Sequence, residues 1–112
     1  MTLAEIVERL SLKVYAGAGR LDRPLAGAYA GDLLSDVIAR GPKDGLWITI
    51  QIHPNIVAVA LLKDIAAILL ANGREPATDT LRRAEDERLP ILGSPLSVYE
   101  LAGRLYELGL HE

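Results

Sequence analysis

Nearly continuous apolar runs separated by short polar turns mark the middle of the chain, residues 46–76. Leu46–Ile52 and Ile65–Leu70 are apolar along almost their whole length, a pattern typical of strands buried on both faces of a sheet. Between them, the turn His53–Asn55 leads into Ile56–Lys63, which we interpret as a helix. A strand, a helix and a second strand in this order indicate a parallel α/β sheet.

Shorter elements are predicted on either side of this segment. The periodicity predicts three further strands, at Leu12–Ala16, Leu25–Ala30 and Leu89–Leu92. It also predicts four further helices, at Thr2–Leu10, Leu33–Arg40, Thr78–Arg88 and Val98–Leu108. After Gly45 the order is β-α-β-α-β-α, and right-handed crossovers are expected to place helices on both faces of the sheet. The predicted fold class is therefore α/β, a three-layer α/β/α domain with a small, mostly parallel sheet, covering residues 1–112.

Polar residues at the predicted helix ends fit capping roles. Two of the helix starts carry a capping box, in which a Ser or Thr is followed three residues later by Glu. The predicted N-caps are Thr2, Asp32, Thr78 and Ser97, the boxes being completed by Glu5 and Glu100, and Gly109 is the predicted C-cap of the last helix.

Composition narrows the function classes. The net charge is −3 with Lys and Arg scattered along the chain, which argues against a nucleic-acid partner. Cysteine is absent, so disulfides, thiolate catalysis and cysteine metal sites are excluded. Half of the residues are hydrophobic, and so small a domain cannot hide them all, which favours a subunit interface and hence a homodimer.

The apolar runs also bear on where in the cell the protein is expected. The longest, Ile56–Leu62 and Ile65–Ala71, are far too short to cross a bilayer. The amino terminus has the pattern of an amphipathic helix rather than of a signal peptide. We therefore expect no membrane partner and a cytoplasmic protein.

Candidate site residues follow the predicted strands. Ligands of open α/β sheets bind at the carboxyl ends of the strands, and backbone N–H groups of helix starts at that edge suit an anion. Arg74 adds a guanidinium able to hold phosphate or carboxylate in a bidentate manner. The candidate ligand-binding residues are Asp32, His53, Asn55, Arg74, Glu75 and Ser94. The alternative is that they are ordinary caps and turns.

Motifs for phosphate loops, nucleophilic elbows or metal sites do not occur in the sequence. His53 has no nucleophile near it in sequence, and Asp32 with Asp36 lacks a histidine partner for a metal. We therefore predict no catalytic residue, no metal ligand and no cofactor.

Five strings of the sequence share a pattern with a known family. They are Leu21–Tyr29, Gly31–Val37, Trp47–Ala60, Gly73–Pro76 and Glu100–Tyr106. They resemble the DRTGG domain family, which is similar to the N-terminal domain of HPr kinase/phosphorylase. Asp22-Arg23 matches the start of the motif, but no Thr-Gly-Gly follows. The resemblance implies a small α/β/α accessory or dimerisation module, of the kind found beside CBS domains in regulated pyrophosphatases and in some phosphate acetyltransferases. Stand-alone members are sometimes labelled serine kinases, and the missing phosphate loop argues against that label here. In some anaerobes, stand-alone members are associated with iron-only hydrogenase systems.

Three hypotheses result. The first is a non-catalytic regulatory or interaction module, homodimeric, that binds a small anionic ligand, phosphorylated or nucleotide-like. The second is a small enzyme that uses His53, Arg74 and Glu75 to act on a phosphorylated or carboxylated metabolite, with Arg74 holding the anion and His53 moving a proton. The third is a scaffold subunit of a larger enzyme system, whose protein partner docks on the Val98–Leu108 helix or on Tyr99 and Tyr106.

Overall fold

A five-stranded sheet covered by helices on both faces forms the protein over residues 1–111, which the computed structural model describes. The strands are β1 (Lys13–Ala16), β2 (Gly27–Ala30), β3 (Gly45–Thr49), β4 (Ala67–Leu70) and β5 (Ile91–Gly93). The helices are α1 (Leu3–Leu10), α2 (Leu34–Arg40), α3 (Asn55–Leu62), α4 (Thr78–Glu87) and α5 (Val98–Glu107). A short 3₁₀ turn, Ala18–Arg20, follows β1.

The strand order is β1-β5-β4-β3-β2, with β2 to β5 parallel and β1 antiparallel to β5. The small, mostly parallel sheet and the α/β/α layers are thus confirmed. One detail differs from the expectation. Because each crossover from β2 to β5 moves one strand in the same direction, right-handed crossovers put α2, α3 and α4 on one face only. The other face is covered by α1 and α5, the two helices outside the crossovers.

The two central strands carry the core of both layers. In β3, Leu46 and Ile48 pack among side chains of α1 and α5, whereas Trp47 packs among those of α2 and α3. β4 alternates in the same way, with Leu69 on the first side and Ile68 on the second. All residues of β3 and β4 are buried, as expected for strands that are almost wholly apolar. Among residues 1–111, no helix has both the length and the apolar character needed to cross a bilayer.

The N-cap predictions for Thr2 and Ser97 are confirmed. The Thr2 hydroxyl accepts from the Glu5 N–H and the Glu5 carboxylate accepts from the Thr2 N–H at 2.9 Å, so that box is complete. The Ser97 hydroxyl accepts from the Glu100 N–H at 3.1 Å. The Glu100 side chain pairs with Arg104 one turn later instead.

Three cap predictions need correction. Asp32 and Thr78 are not N-caps, because Leu33 and Ala77 hold those positions without a side-chain hydrogen bond. Asp32 accepts a hydrogen bond from Thr49 of β3 instead, and Thr78 is already the first residue of α4. Gly109 lies one residue past the C-cap Leu108 and takes a φ of +97°.

Candidate functional site

The carboxyl ends of β2 to β5 meet at one edge of the sheet, here called the carboxyl edge. The residues that the sequence placed there all follow these strands in the fold. Five of the six candidates are exposed and the sixth, Ser94, is buried. They are Asp32 after β2, His53 and Asn55 after β3, Arg74 and Glu75 after β4, and Ser94 after β5.

Arg74 lies in a loop that is pinned at both ends. The Gly73 N–H donates to the Ser94 carbonyl at 2.9 Å, and the Ala77 N–H donates to the Ile52 carbonyl at 3.1 Å. The loop therefore arches over the end of β4, from the β5 side to the β3 side. The tight turn into it needs two successive left-handed residues, Asn72 at φ 60° and Gly73 at φ 68°.

The two charged side chains of this loop are free in the described part of the chain. Arg74 and Glu75 are exposed, and neither side chain has a hydrogen bond or ion pair among residues 1–111. Because hydrogen bonds hold the backbone on both sides of Arg74, its guanidinium extends into solvent from a fixed stretch of backbone. Such a group is suited to bind an anion from solvent.

His53 and Asn55 belong to the neighbouring loop. Ile52, which precedes His53, accepts hydrogen bonds from the Ala77 N–H and from the Thr80 hydroxyl at 2.7 Å. The β3–α3 and β4–α4 loops are therefore joined beside His53. The fold thus brings His53 and Asn55 next to the loop of Arg74 and Glu75, and the first two side chains are likewise exposed.

Asp32 is engaged with the end of β3. Its Oδ1 accepts from the Thr49 hydroxyl at 2.7 Å and from the Ile50 N–H at 2.9 Å. The Gln51 side-chain amide donates to the Asp32 carbonyl at 3.0 Å. The Asp32 carboxylate therefore links the end of β2 to β3. The residues next to Asp32 in the sequence give no indication of this structural role.

Ser94 shapes the turn after β5. Its hydroxyl accepts from the Leu96 N–H at 3.1 Å, and its own N–H donates to the Leu70 carbonyl at 3.0 Å. Ser94 is only 4% exposed. Its carbonyl accepts the hydrogen bond from the Gly73 N–H that holds one end of the Arg74 loop.

The carboxyl edge presents exposed polar groups that are suited to binding a ligand from solvent. Over residues 1–111, His53 has neither a hydroxyl nor a carboxylate hydrogen-bonded to its ring, so the paired groups of general-base catalysis are not assembled. In the same residues, no cluster of three or more metal-ligating side chains occurs. Two helix starts at this edge, those of α3 and α4, lack a side-chain cap.

Sequence reasoning missed a charged cluster at the opposite edge of the sheet. Arg23 donates to the Asp44 carboxylate and to the backbone and carboxylate of Asp64. Desolvation acts to lower the pKa of Arg23, but the hydrogen bonds to the two carboxylates outweigh it and raise that pKa above its usual value. The Asp-Arg pair at residues 22–23 was the available signal.

The fold resembles that of a solved regulatory region. No protein-family model matches the sequence, and no curated protein does. The crystal structure of the CBS and DRTGG domains of the regulatory region of Clostridium perfringens pyrophosphatase, complexed with its activator diadenosine tetraphosphate, superposes with a TM-score of 0.73 at 13% identity. The match covers 90% of this chain and 44% of that chain. At this identity the likeness concerns the fold alone, and it supports the DRTGG-like fold that the sequence resemblance predicted.

Proposed function

We propose that this chain is a non-catalytic regulatory module that acts as a homodimer in the cytoplasm. Each copy binds a small anionic ligand, phosphorylated or nucleotide-like, at the carboxyl edge of its sheet. The observation that carries the proposal is Arg74, which is exposed and has no side-chain partner among residues 1–111, on a loop held by hydrogen bonds at Gly73 and Ala77.

The groups around Arg74 suit a phosphorylated ligand. A guanidinium forms two parallel hydrogen bonds to one phosphate group. The start of α4 offers the backbone N–H groups of Thr78 and Asp79, and the starts of α3 and α4 contribute the positive ends of two helix dipoles. Asn55 supplies an amide, and Glu75 supplies an acceptor for ligand hydroxyls of the kind that a sugar carries.

The similar regulatory region supports the same class of ligand. That protein binds diadenosine tetraphosphate, a nucleotide with a polyphosphate chain. A small enzyme is the less favoured function because His53 lacks a hydrogen-bonded catalytic partner among residues 1–111. Binding of a nucleotide without its turnover is therefore the behaviour we expect.

Calorimetric titration with diadenosine tetraphosphate, ATP and inorganic phosphate tests this proposal. Arg74→Ala is expected to weaken binding by at least about tenfold, since a charge-assisted hydrogen bond contributes about 1.5–3 kcal/mol. Arg20→Ala is the control, because Arg20 is an exposed arginine that follows the end of β1 paired with the start of β5, at the opposite edge of the sheet. Its affinity should equal that of the wild type.

Two results would contradict the proposal. If none of the three probes binds, the chain has no such ligand. If Arg74→Ala and Arg20→Ala lose equal affinity, the ligand site is not at Arg74. Chromatography of each nucleotide after incubation with the protein tests for turnover. A product that forms with the wild type and not with His53→Ala would support the small enzyme instead of the binding module.

A further inference from the structure

A small cavity lies between the outer strand β2 and the second half of α5, and we call it the β2–α5 cavity. Its volume is about 190 Å³. The apolar floor includes Ile48 of β3 and Leu105 of α5, each only 1% exposed. Pockets for drug-sized ligands have volumes of about 300–1,000 Å³. The cavity is therefore of a size to take one small ring system.

The β2 side of the cavity carries backbone groups that the sheet does not use. β2 is the last strand in the sheet order. The Gly31 N–H donates to the Ile48 carbonyl at 3.1 Å, and alternate residues of a strand turn their backbone groups toward one neighbour. Tyr29 therefore faces β3 as well, whereas the N–H and C=O groups of Ala28 and Ala30 face away from it. Among residues 1–111, neither alanine makes a backbone hydrogen bond outside the sheet.

These two alanines offer an acceptor and a donor side by side. Both line the β2–α5 cavity. Along the outer side of β2 the Ala28 carbonyl is followed by the Ala30 N–H, because the groups of Tyr29 point the other way. A ligand with a donor next to an acceptor in one plane can pair with both groups.

The α5 side of the cavity carries an aromatic wall. The rings of Tyr106 and His111 both line the cavity and pack against each other with 4.5 Å between their centroids. Tyr106 is 64% exposed, so much of its ring remains open to a ligand. Since His111 already contacts that ring, Tyr106 loses little conformational entropy when a ligand covers it. Aromatic side chains of this kind stack on planar bases.

The lining selects an uncharged planar ligand. Among residues 1–111, no Lys, Arg, Asp or Glu side chain lines the β2–α5 cavity, so a free phosphate has no counter-charge there. A nucleobase has a flat apolar face, and adenine presents an amino donor beside a ring-nitrogen acceptor. Such a ring matches the aromatic wall with its face and the β2 backbone with its edge.

We infer that the β2–α5 cavity binds a purine-like heterocycle, which stacks on Tyr106 and pairs with the Ala28 carbonyl and the Ala30 N–H. This site shares no residue with the candidate ligand site at the carboxyl edge. It goes beyond the proposed function and does not depend on Arg74.

An NMR titration of the intact chain, followed through its backbone amide signals, tests the inference with adenine as the probe. The amides of Ala28 and Ala30 are expected to shift, and those of the Arg74 loop to stay in place. Tyr106→Ala should weaken adenine binding at least about fivefold, because it removes the stacking ring. Tyr99→Ala is the matched control, since Tyr99 is an 89% exposed tyrosine of the same helix and is not among the residues lining the cavity. Its affinity should equal that of the wild type.

A second variant and a second probe test the shape and the hydrogen bonds separately. Ala102 lines the cavity from α5, and Ala102→Leu should fill the space and abolish adenine binding while leucine keeps the helix. Benzyl alcohol has a ring of similar width without an adjacent donor and acceptor in its plane. It should bind at least about fivefold more weakly than adenine.

Three results would overturn the inference. They are an absence of shifts with adenine, shifts confined to the Arg74 loop, and equal affinity of Tyr106→Ala and Tyr99→Ala. Equal affinity for benzyl alcohol and adenine would overturn the pairing with the β2 backbone. Inorganic phosphate separates this site from the proposed function, because phosphate should shift the Arg74 loop alone. If phosphate shifts nothing while adenine shifts Ala28 and Ala30, the anion site fails and the cavity site stands.

Discussion

Arg23 donates two hydrogen bonds to a single carboxylate oxygen of Asp44, from Nη2 at 2.5 Å and from Nε at 3.2 Å. Nη2 also reaches the carbonyl and a carboxylate oxygen of Asp64, both at 3.2 Å. Asp44 and Asp64 are the left-handed residues, at φ 60° and φ 54°, of the turns that lead into β3 and β4. One guanidinium thus holds two crossover turns at the edge of the sheet opposite the candidate ligand site.

Replacement of Arg23 should therefore affect folding and not ligand binding. We expect Arg23→Ala to lower the free energy of unfolding by about 1–2 kcal/mol, since the ion pair with Asp44 is only partly buried. Urea denaturation followed by the fluorescence of Trp47, which is fully buried, measures the change. Arg83→Ala, an exposed arginine of α4, is the control. A loss of ligand affinity with unchanged stability would assign Arg23 to a binding site instead.

The buried hydroxyl of Thr49 is expected to stabilise the joint between β2 and β3. Thr49→Val keeps the shape but removes the donor to Asp32 and the acceptor for the Gln51 N–H. The loss should be about 1–3 kcal/mol, because the polar partners lose a hydrogen bond in a largely buried place. Thr78→Val, at an exposed threonine in the first turn of α4, should change stability by much less. Equal denaturation midpoints for the two variants would contradict this role for Thr49.

Stability at high pH should depend on Tyr29. Burial, reinforced by the hydrogen bond from the Tyr29 hydroxyl to the Asp36 carboxylate, raises the pKa of Tyr29 to about 12. An unfolded tyrosine has a pKa of about 10, so the folded state holds this proton more tightly. The contribution to the free energy of unfolding is present in full below pH about 10 and is lost as the pH rises toward about 12.

Denaturation at a series of alkaline pH values measures this loss. Tyr29→Phe should remove the part of the pH dependence that belongs to Tyr29. Tyr99→Phe changes a tyrosine that is 89% exposed and should leave the slope as in the wild type. If both variants keep the wild-type slope, Tyr29 does not titrate as its surroundings indicate.

Two glycines with positive φ should differ in their tolerance of alanine. Gly17 (φ +73°) and Gly73 (φ +68°) both have a backbone that side chains disfavour. A Cβ on Gly17 would lie 2.4 Å from the backbone nitrogen of Pro90, whereas a Cβ on Gly73 would meet no atom of residues 1–111 within 4 Å. We expect Gly73→Ala to cost about 1–2 kcal/mol from conformation alone, and Gly17→Ala to cost about 1–3 kcal/mol more from the clash. Thermal unfolding of the two variants compares them, and equal Tm values would contradict the clash.

The candidate site was only partly accessible to sequence reasoning. Turn residues after apolar strands were enough to place His53, Asn55, Arg74 and Glu75 at one edge, because parallel strands end together. The same reasoning made Asp32 a helix cap, since it considers only neighbours in the chain. The partner of Asp32 is Thr49, seventeen residues away, and the partner of Arg23 is Asp44, twenty-one residues away.

The sequence by itself determined which segments are strands and helices, and that Leu46–Ile52 and Ile65–Leu70 supply strands covered on both faces. Periodicity carries that information because it reports whether a face is buried. It does not report which element covers the face. Only the tertiary structure decided that α2, α3 and α4 share one side, that α1 and α5 form the other, and that β1 closes the sheet antiparallel to β5. Those choices depend on strand order and on contacts between residues far apart in the chain, which local patterns do not encode.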